Sequence, residues 1–149
     1  MQTLITGSTG FVGRALIKYL SHKKISSICA IRDNKHANDF ESTFEVGNLS
    51  GTNNWLPILT EIDVVVHSAA RVHVMNDTAS NPLEEFREVN TRATLNLAEQ
   101  AADAGVKRFI FISSIKAGGE SSELGSPLSE DGFYVPNDPY GLSKYEAEK

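Results

Sequence analysis

A single cysteine, Cys29, stands among the 149 residues of this chain, so no disulfide can close within it. Its apolar neighbours Ile28, Ala30 and Ile31 mark it as core filler rather than a reactive thiol. Long hydrophobic runs are missing: nothing approaches the roughly 18 apolar residues of a membrane span, and residues 1–6 read as a strand, not as a charged leader. The expectation is a cytosolic protein without a membrane partner. Basic excess is missing too. With 14 basic against 19 acidic residues the formal charge is -5, which removes the electrostatic footprint that nucleic acid requires. The four histidines, His22, His36, His67 and His73, lack ligand spacing and no carboxylate cluster accompanies them, so no metal site is expected. His67 reads as a strand-end residue rather than a base. Internal repeats and low-complexity tracts are also lacking.

What the chain does have is alternation. Strand-length apolar runs are expected over 3–6, 27–32, 43–46, 63–67 and 108–113, and amphipathic helices over 11–20, 55–59, 82–104 and from 139 onward. Repeated strand–helix–strand units predict a parallel sheet, and near-continuous apolar runs such as 62–66 and 109–112 suit strands buried on both faces. The fold class is α/β, a Rossmann-type doubly wound sheet, with residues 1–149 forming one dinucleotide-binding domain. Asn81 and Pro82 write the start of the long helix and Gly105 its end. Between 114 and 138 no period is visible, and glycines, prolines and serines predict a long loop, of the kind that is either functional or disordered.

Between the first strand and first helix lie Gly7-Ser8-Thr9-Gly10-Phe11-Val12-Gly13. A pyrophosphate needs open N–H groups at a helix N-terminus and a backbone free of side-chain obstruction, and glycines there supply both. The spacing G-x-x-G-x-x-G predicts a turn one residue longer than G-x-G-x-x-G before its second glycine. About 20 residues on, where a side chain reaches the adenosine ribose, stand Arg32 and Asp33. Their messages conflict: Asp33 suits the ribose hydroxyls of NAD, Arg32 the extra phosphate of NADP, and the choice stays open.

Near the end, Pro139-Tyr140-Gly141-Leu142-Ser143-Lys144 opens a helix on which Tyr140 and Lys144 share one face a turn apart. A cation about 4 Å from a phenol, at an effective dielectric near 20, is worth roughly 4 kcal/mol, about three units of pKa. Such a tyrosine serves as acid or base on a hydroxyl or carbonyl whose carbon exchanges hydride with a nicotinamide. The Tyr-x-x-x-Lys spacing also occurs at Tyr19 and Tyr145, but only Tyr140 follows the proline that opens its helix. Ser113 and Ser114 end the fifth strand at the same edge, and Ser114, the more exposed, is the one expected to bind the substrate oxygen.

Together with Asp63-Val64-Val65-Val66-His67-Ser68-Ala69-Ala70 and Asn90, these motifs, in this order, resemble the extended short-chain dehydrogenase/reductases, specifically the NAD-dependent epimerase/dehydratase family. The resemblance implies cofactor contacts from Gly7, Thr9, Gly10, Phe11, Val12 and Gly13, with Ala69 and Ala70 along the cofactor path. It further implies Arg32, Asp33, Asn48 and Leu49 at the adenosine end, and Asn90 in support of the reactive end. Tyr140 and Ser114 would bind the reacting oxygen, and Lys144 would hold the nicotinamide ribose. The implied activity is NAD(P)-dependent epimerisation of a nucleotide sugar, foremost a UDP-hexose at C4. Reduction or dehydration of a UDP-4-keto sugar in surface-polysaccharide synthesis is the alternative. A non-catalytic dinucleotide-binding module is a further one. Asn48 stands where relatives carry an aspartate, and members of the family continue past the Tyr-Lys helix into a substrate domain, so the chain reads as a fragment. An uncovered sheet edge predicts self-association, as a homodimer, through the long helix carrying Leu83, Phe86, Ala93 and Leu97.

Overall fold

A computed structural model describes residues 1–72, 81–129 and 134–149. His73 and Gly132 of the sequence reading lie outside them. Five parallel strands form one sheet in the order β3-β2-β1-β4-β5, with β1 at Gln2–Thr6, β2 at Ser26–Ile31, β3 at Thr43–Glu45, β4 at Val64–His67 and β5 at Arg108–Phe111. The order reverses at β1, and the crevice beyond the carboxyl ends at such a reversal is where ligands bind in open α/β sheets.

Register explains the core. Leu4 lies opposite Ile28 on one side and Val65 on the other, and Val65 lies opposite Phe109. This row packs against Trp55, Leu59, Leu97 and Ala101 from α2 (Leu56–Leu59), the residue before it, and α4 (Ala93–Asp103). Burying each such aliphatic side chain contributes about 1.5–3 kcal/mol. The other face carries Ile5 and Cys29, opposite one another, with α1 (Phe11–His22) beside β2. Burial pushes the Cys29 thiol up to about 11, so it is an inert thiol within the wall.

The helix expected over 82–104 is three pieces: α3 (Pro82–Phe86), a π-helical turn (Arg87–Arg92) and α4. Its ends follow the local signals. The Asn81 side chain accepts from Glu84 N, and beyond Ala104 the chain takes φ +77° at Gly105, with Gly105 N donating to Ala102 O and Val106 N to Ala101 O. The π turn is not local. Ala93 N reaches back to Glu88 O, and the extra residue this admits is held by side-chain bonds to a distant helix, described below.

Three further differences have physical reasons. A 3-10 helix at Asn34–Asp39, capped by Asp33, and α5 at Ile115–Gly118, capped by Ser114, are too short to show a period in sequence. β5 ends at Phe111, although Ile112 N still donates to His67 O. Of the long-helix residues expected to carry self-association, Phe86, Ala93 and Leu97 are buried within the chain and Leu83 is partly buried, while Leu95 on the same helix and Ile110 and Ile112 at β5 and just beyond it are exposed.

Candidate functional site

Gly7 adopts φ +69°, and a Cβ there would sit 2.6 Å from Ala69 N after β4. At Gly13 a Cβ would fall 2.2 Å from Gly7 O. The turn closes with Gly10 N on Gly7 O at 3.0 Å, and the buried Ser8 hydroxyl anchors it to β2 by donating to Ala30 O. Helix α1 then starts at Phe11 with no side-chain cap and no acidic residue in its first turn. Its leading N–H groups and the positive end of its dipole are left for an anion. Phe11 and Val12 project to solvent, and Gly13 is buried beneath the turn.

In front of the turn opens a cleft of about 760 Å³. Gly7 and Thr9 line it from the turn, Arg32 and Asp33 from beyond β2, Asn48 and Leu49 from beyond β3, Ala69 and Ala70 from beyond β4. Every one of these is a residue expected from the sequence. His36, Arg71, Glu85, Glu88 and Val89 also line it and were not foreseen. His36 belongs to the capped 3-10 turn, for which Asp33 as a helix-starting residue is the one sequence signal. Asp33 is partly engaged: one oxygen accepts from Lys35 N at 3.0 Å and the other lies 3.9 Å from Lys35 Nζ. Arg32 is exposed at the mouth.

The residues expected at the reactive end lie along the same carboxyl edge but outside the cleft's lining, because β1, β4 and β5 run parallel and adjacent and Gly7, Ala69 and Ser114 follow their ends. Helix α6 (Pro139–Ala147) is capped by Asp138, which accepts from Gly141 N at 3.0 Å. Its docking comes from the π turn. Thr91 Oγ1 donates to Ser143 O at 2.8 Å, Asn90 Nδ2 donates to Ser143 Oγ at 3.0 Å, and Arg87 grips Glu146 through Nη2 at 2.6 Å and Nε at 2.9 Å. Asn90 is fully buried; its Oδ1 accepts from Arg71 N at 2.7 Å, and Nδ2 also donates to Arg71 O at 3.0 Å. One side chain thus ties the cleft wall to the Tyr140–Lys144 helix.

Lys144 is buried, with Nζ donating to Ile112 O at 2.8 Å and resting 3.8 Å from the centroid of the Phe111 ring. Burial holds its ammonium down to about 8, against a smaller opposing pull from Glu148. Tyr140 is half-buried, edge-on to Phe86 with centroids 6.2 Å apart. Among the described residues no hydrogen bond joins Tyr140 to Lys144, so the ammonium–phenol contact inferred from spacing is replaced here by Ile112 O. The two serines separate clearly. Ser113 donates to Glu148, whereas Ser114 Oγ accepts from Lys116 N at 3.3 Å and keeps its own proton to give. No group of metal-ligating side chains occurs among the described residues.

A glycine turn at the reversal point of a five-stranded parallel sheet defines a Rossmann-type α/β fold. The chain belongs to the NAD dependent epimerase/dehydratase family, whose model matches residues 3–149. It is 49% identical over 146 residues to a UDP-glucose 4-epimerase of Vibrio cholerae, covering 98% of this chain and 44% of that protein. It is 30% identical over 153 residues to a putative UDP-glucose 4-epimerase of Methanocaldococcus jannaschii, covering 98% and 48%. A short-chain dehydrogenase/reductase superfamily protein of Agrobacterium tumefaciens with bound NAD superposes with a TM-score of 0.81 at 28% identity, over 99% of this chain and 43% of that one. MoeE5 in complex with UDP-glucose and NAD superposes with a TM-score of 0.77 at 28% identity, over 99% and 47%. The chain spans about half the length of the curated relatives it matches. Among the described residues no helix is long and apolar enough to cross a membrane.

Proposed function

We propose that residues 1–149 are the cofactor-binding part of an enzyme that epimerises a UDP-hexose at C4. The observation that carries this reading is the alignment of the glycine-turn cleft with Ser114 and the Tyr140–Lys144 helix along one sheet edge, in a chain 49% identical to a UDP-glucose 4-epimerase. The cleft suits a dinucleotide because Gly7 and Gly13 let the turn fold tightly onto its own backbone, where a Cβ would collide, and α1 leaves its first N–H groups without a side-chain cap. Arg32, Asp33, Asn48 and Leu49 hold the adenosine, and Ala69, Ala70 and Lys144 flank the nicotinamide ribose.

A nicotinamide held in the cleft would supply the hydride acceptor and donor for the sugar carbon. This chain's residues handle the proton. Tyr140 Oη takes it from the C4 hydroxyl, Ser114 donates to the same oxygen as it gains carbonyl character, and Lys144, whose ammonium bonds Ile112 O rather than the phenol, serves the nicotinamide ribose. Asn90 keeps α6 at the edge where these steps occur.

The test is NMR of UDP-glucose or UDP-N-acetylglucosamine incubated with the intact protein and cofactor, wild type against Tyr140→Phe. Loss of turnover by about 10²–10⁴-fold with cofactor affinity retained is expected; full turnover in the variant refutes the role of Tyr140. Reduced cofactor consumed one for one with product would assign a 4-keto-sugar reductase instead. Absence of cofactor binding by fluorescence titration would leave an assembly module.

A further inference from the structure

Behind the cleft runs a chain of buried polar groups that the proposed chemistry leaves unused. Ala69 N donates to Thr6 Oγ1 at 3.2 Å, Thr6 Oγ1 lies 2.7 Å from His67 Nδ1, His67 Nε2 lies 3.0 Å from Thr94 Oγ1, and Thr94 Oγ1 donates to Asn90 O at 2.7 Å. Each proton has one place. The Asn90 carbonyl only accepts, so the Thr94 hydrogen points to it, and Thr94 can then only accept from His67. The imidazole therefore carries its hydrogen on Nε2, and Nδ1 accepts from the Thr6 hydroxyl. It is neutral: full burial, and the nearby Lys144 charge, press its proton affinity down to about 3.

The far end of this chain is the π turn. Thr94 takes the carbonyl four residues back beside the point where Ala93 N reaches Glu88 O, and a hydroxyl bonded in that way bends the helix it sits on. From that turn Asn90 and Thr91 hold Ser143, next to Lys144. A second link runs through Phe111, whose ring stacks on His67 at 5.9 Å and carries Lys144 Nζ at 3.8 Å.

We propose that His67 is a positioning residue for the Ser114–Tyr140–Lys144 site: by donating Nε2–H to Thr94 it orients the hydroxyl that holds the Asn90 carbonyl, and so sets the π turn that docks α6. The inference rests on the reading of that site given above. It differs from a packing role in one respect, since only the Nε2 side of the ring matters to it.

Glutamine places an N–H donor where His67 has Nε2, and asparagine places its amide near Nδ1 only. In the intact protein, His67→Gln keeps kcat near the wild type, whereas His67→Asn lowers kcat about 10- to 100-fold with cofactor affinity unchanged, the scale of a small misplacement of reacting groups. Thr94→Val, which removes the relay and keeps side-chain shape, behaves as His67→Asn and serves if that variant does not fold. Nitrogen-15 NMR of the wild-type imidazole shows hydrogen on Nε2. Equal kcat in the two His67 variants, wild-type kcat in Thr94→Val, a loss shared equally by cofactor affinity, or an Nδ1–H tautomer each overturn the proposal. Full turnover in Tyr140→Phe would instead remove the site reading, and the tautomer and affinity measurements distinguish that failure from this one.

Discussion

The proposed phosphate end, at the glycine turn that lines the cleft, and the proposed reactive end, on the Tyr140–Lys144 helix outside the cleft's lining, are built by opposite means. The phosphate end is made of absent side chains within the seven residues Gly7 to Gly13, where a Cβ at the first or last position would collide with backbone. The reactive end is made of side chains that meet across long stretches of chain: Asn90 and Ser143 are 53 residues apart, Lys144 and Ile112 are 32 apart. A local rule specifies the first, and only a folded sheet assembles the second. The contrast separates how each end fails when altered.

The largest effect falls on the turn. Gly13→Ala puts a methyl 2.2 Å from Gly7 O, where the neighbour is backbone and cannot yield cheaply, so a loss of about 3 kcal/mol or more and of cofactor binding is expected in melting and fluorescence titration. A variant that melts and binds as the wild type would break the contrast at its stronger end. Asn90→Ala comes next. It removes the hydrogen bonds that Asn90 makes with Arg71 N, Arg71 O and Ser143 Oγ, costing about 2–3 kcal/mol in denaturant titration, with turnover falling further than cofactor affinity. Turnover and affinity falling together would show that Asn90 serves the whole domain rather than one end.

Lys144→Met sharpens the comparison through pH. Lys144 is held at about 8 against an ordinary 10.5, so below pH 8 the folded state carries the buried charge at full cost. Between pH 8 and 10.5 the unfolded chain binds more protons than the folded one, and wild-type stability rises with pH. The methionine variant, which has no charge to bury, is expected to be as stable as the wild type or about 1–2 kcal/mol more so at pH 7, with the margin shrinking toward pH 10 and turnover lost throughout. A margin that does not change with pH would remove burial as the cause. The smallest effect is at the adenosine mouth, where Arg32→Ala should weaken NADP about tenfold, the scale of one charge-assisted hydrogen bond, while NAD changes little. Equal change in both affinities would take Arg32 out of cofactor discrimination.

The strand and helix segments, the glycine turn, and Arg32 and Asp33 were legible because each depends on neighbours in sequence: apolar period, turn chemistry, a proline or an asparagine at a helix start; Asn48, Leu49, Ala69 and Ala70 were reached only through the family resemblance. The π turn was not. Its side chains bond Ser143, Arg71 and Glu146, none near it in sequence, and periodicity over 82–104 averages across the extra residue. Short capped turns such as Asn34–Asp39 and Ile115–Gly118 escape for a different reason, since four to six residues hold too few repeats to register. The Tyr140–Lys144 pair was half legible. Spacing placed both on one helix, and the burial that sends the ammonium to Ile112 O and Phe111 came from the sheet.

Composition and local pattern alone determined that this chain folds as a parallel α/β sheet with an anion-ready helix start, because glycine freedom, apolar runs and helix caps act over a few residues. Tertiary structure decided which serine keeps a donatable proton, where the Lys144 charge rests and how His67 is protonated. Those properties depend on solvent exclusion and on partners brought together from distant segments, and a buried polar group takes its state from whichever partner the fold sets within hydrogen-bond reach.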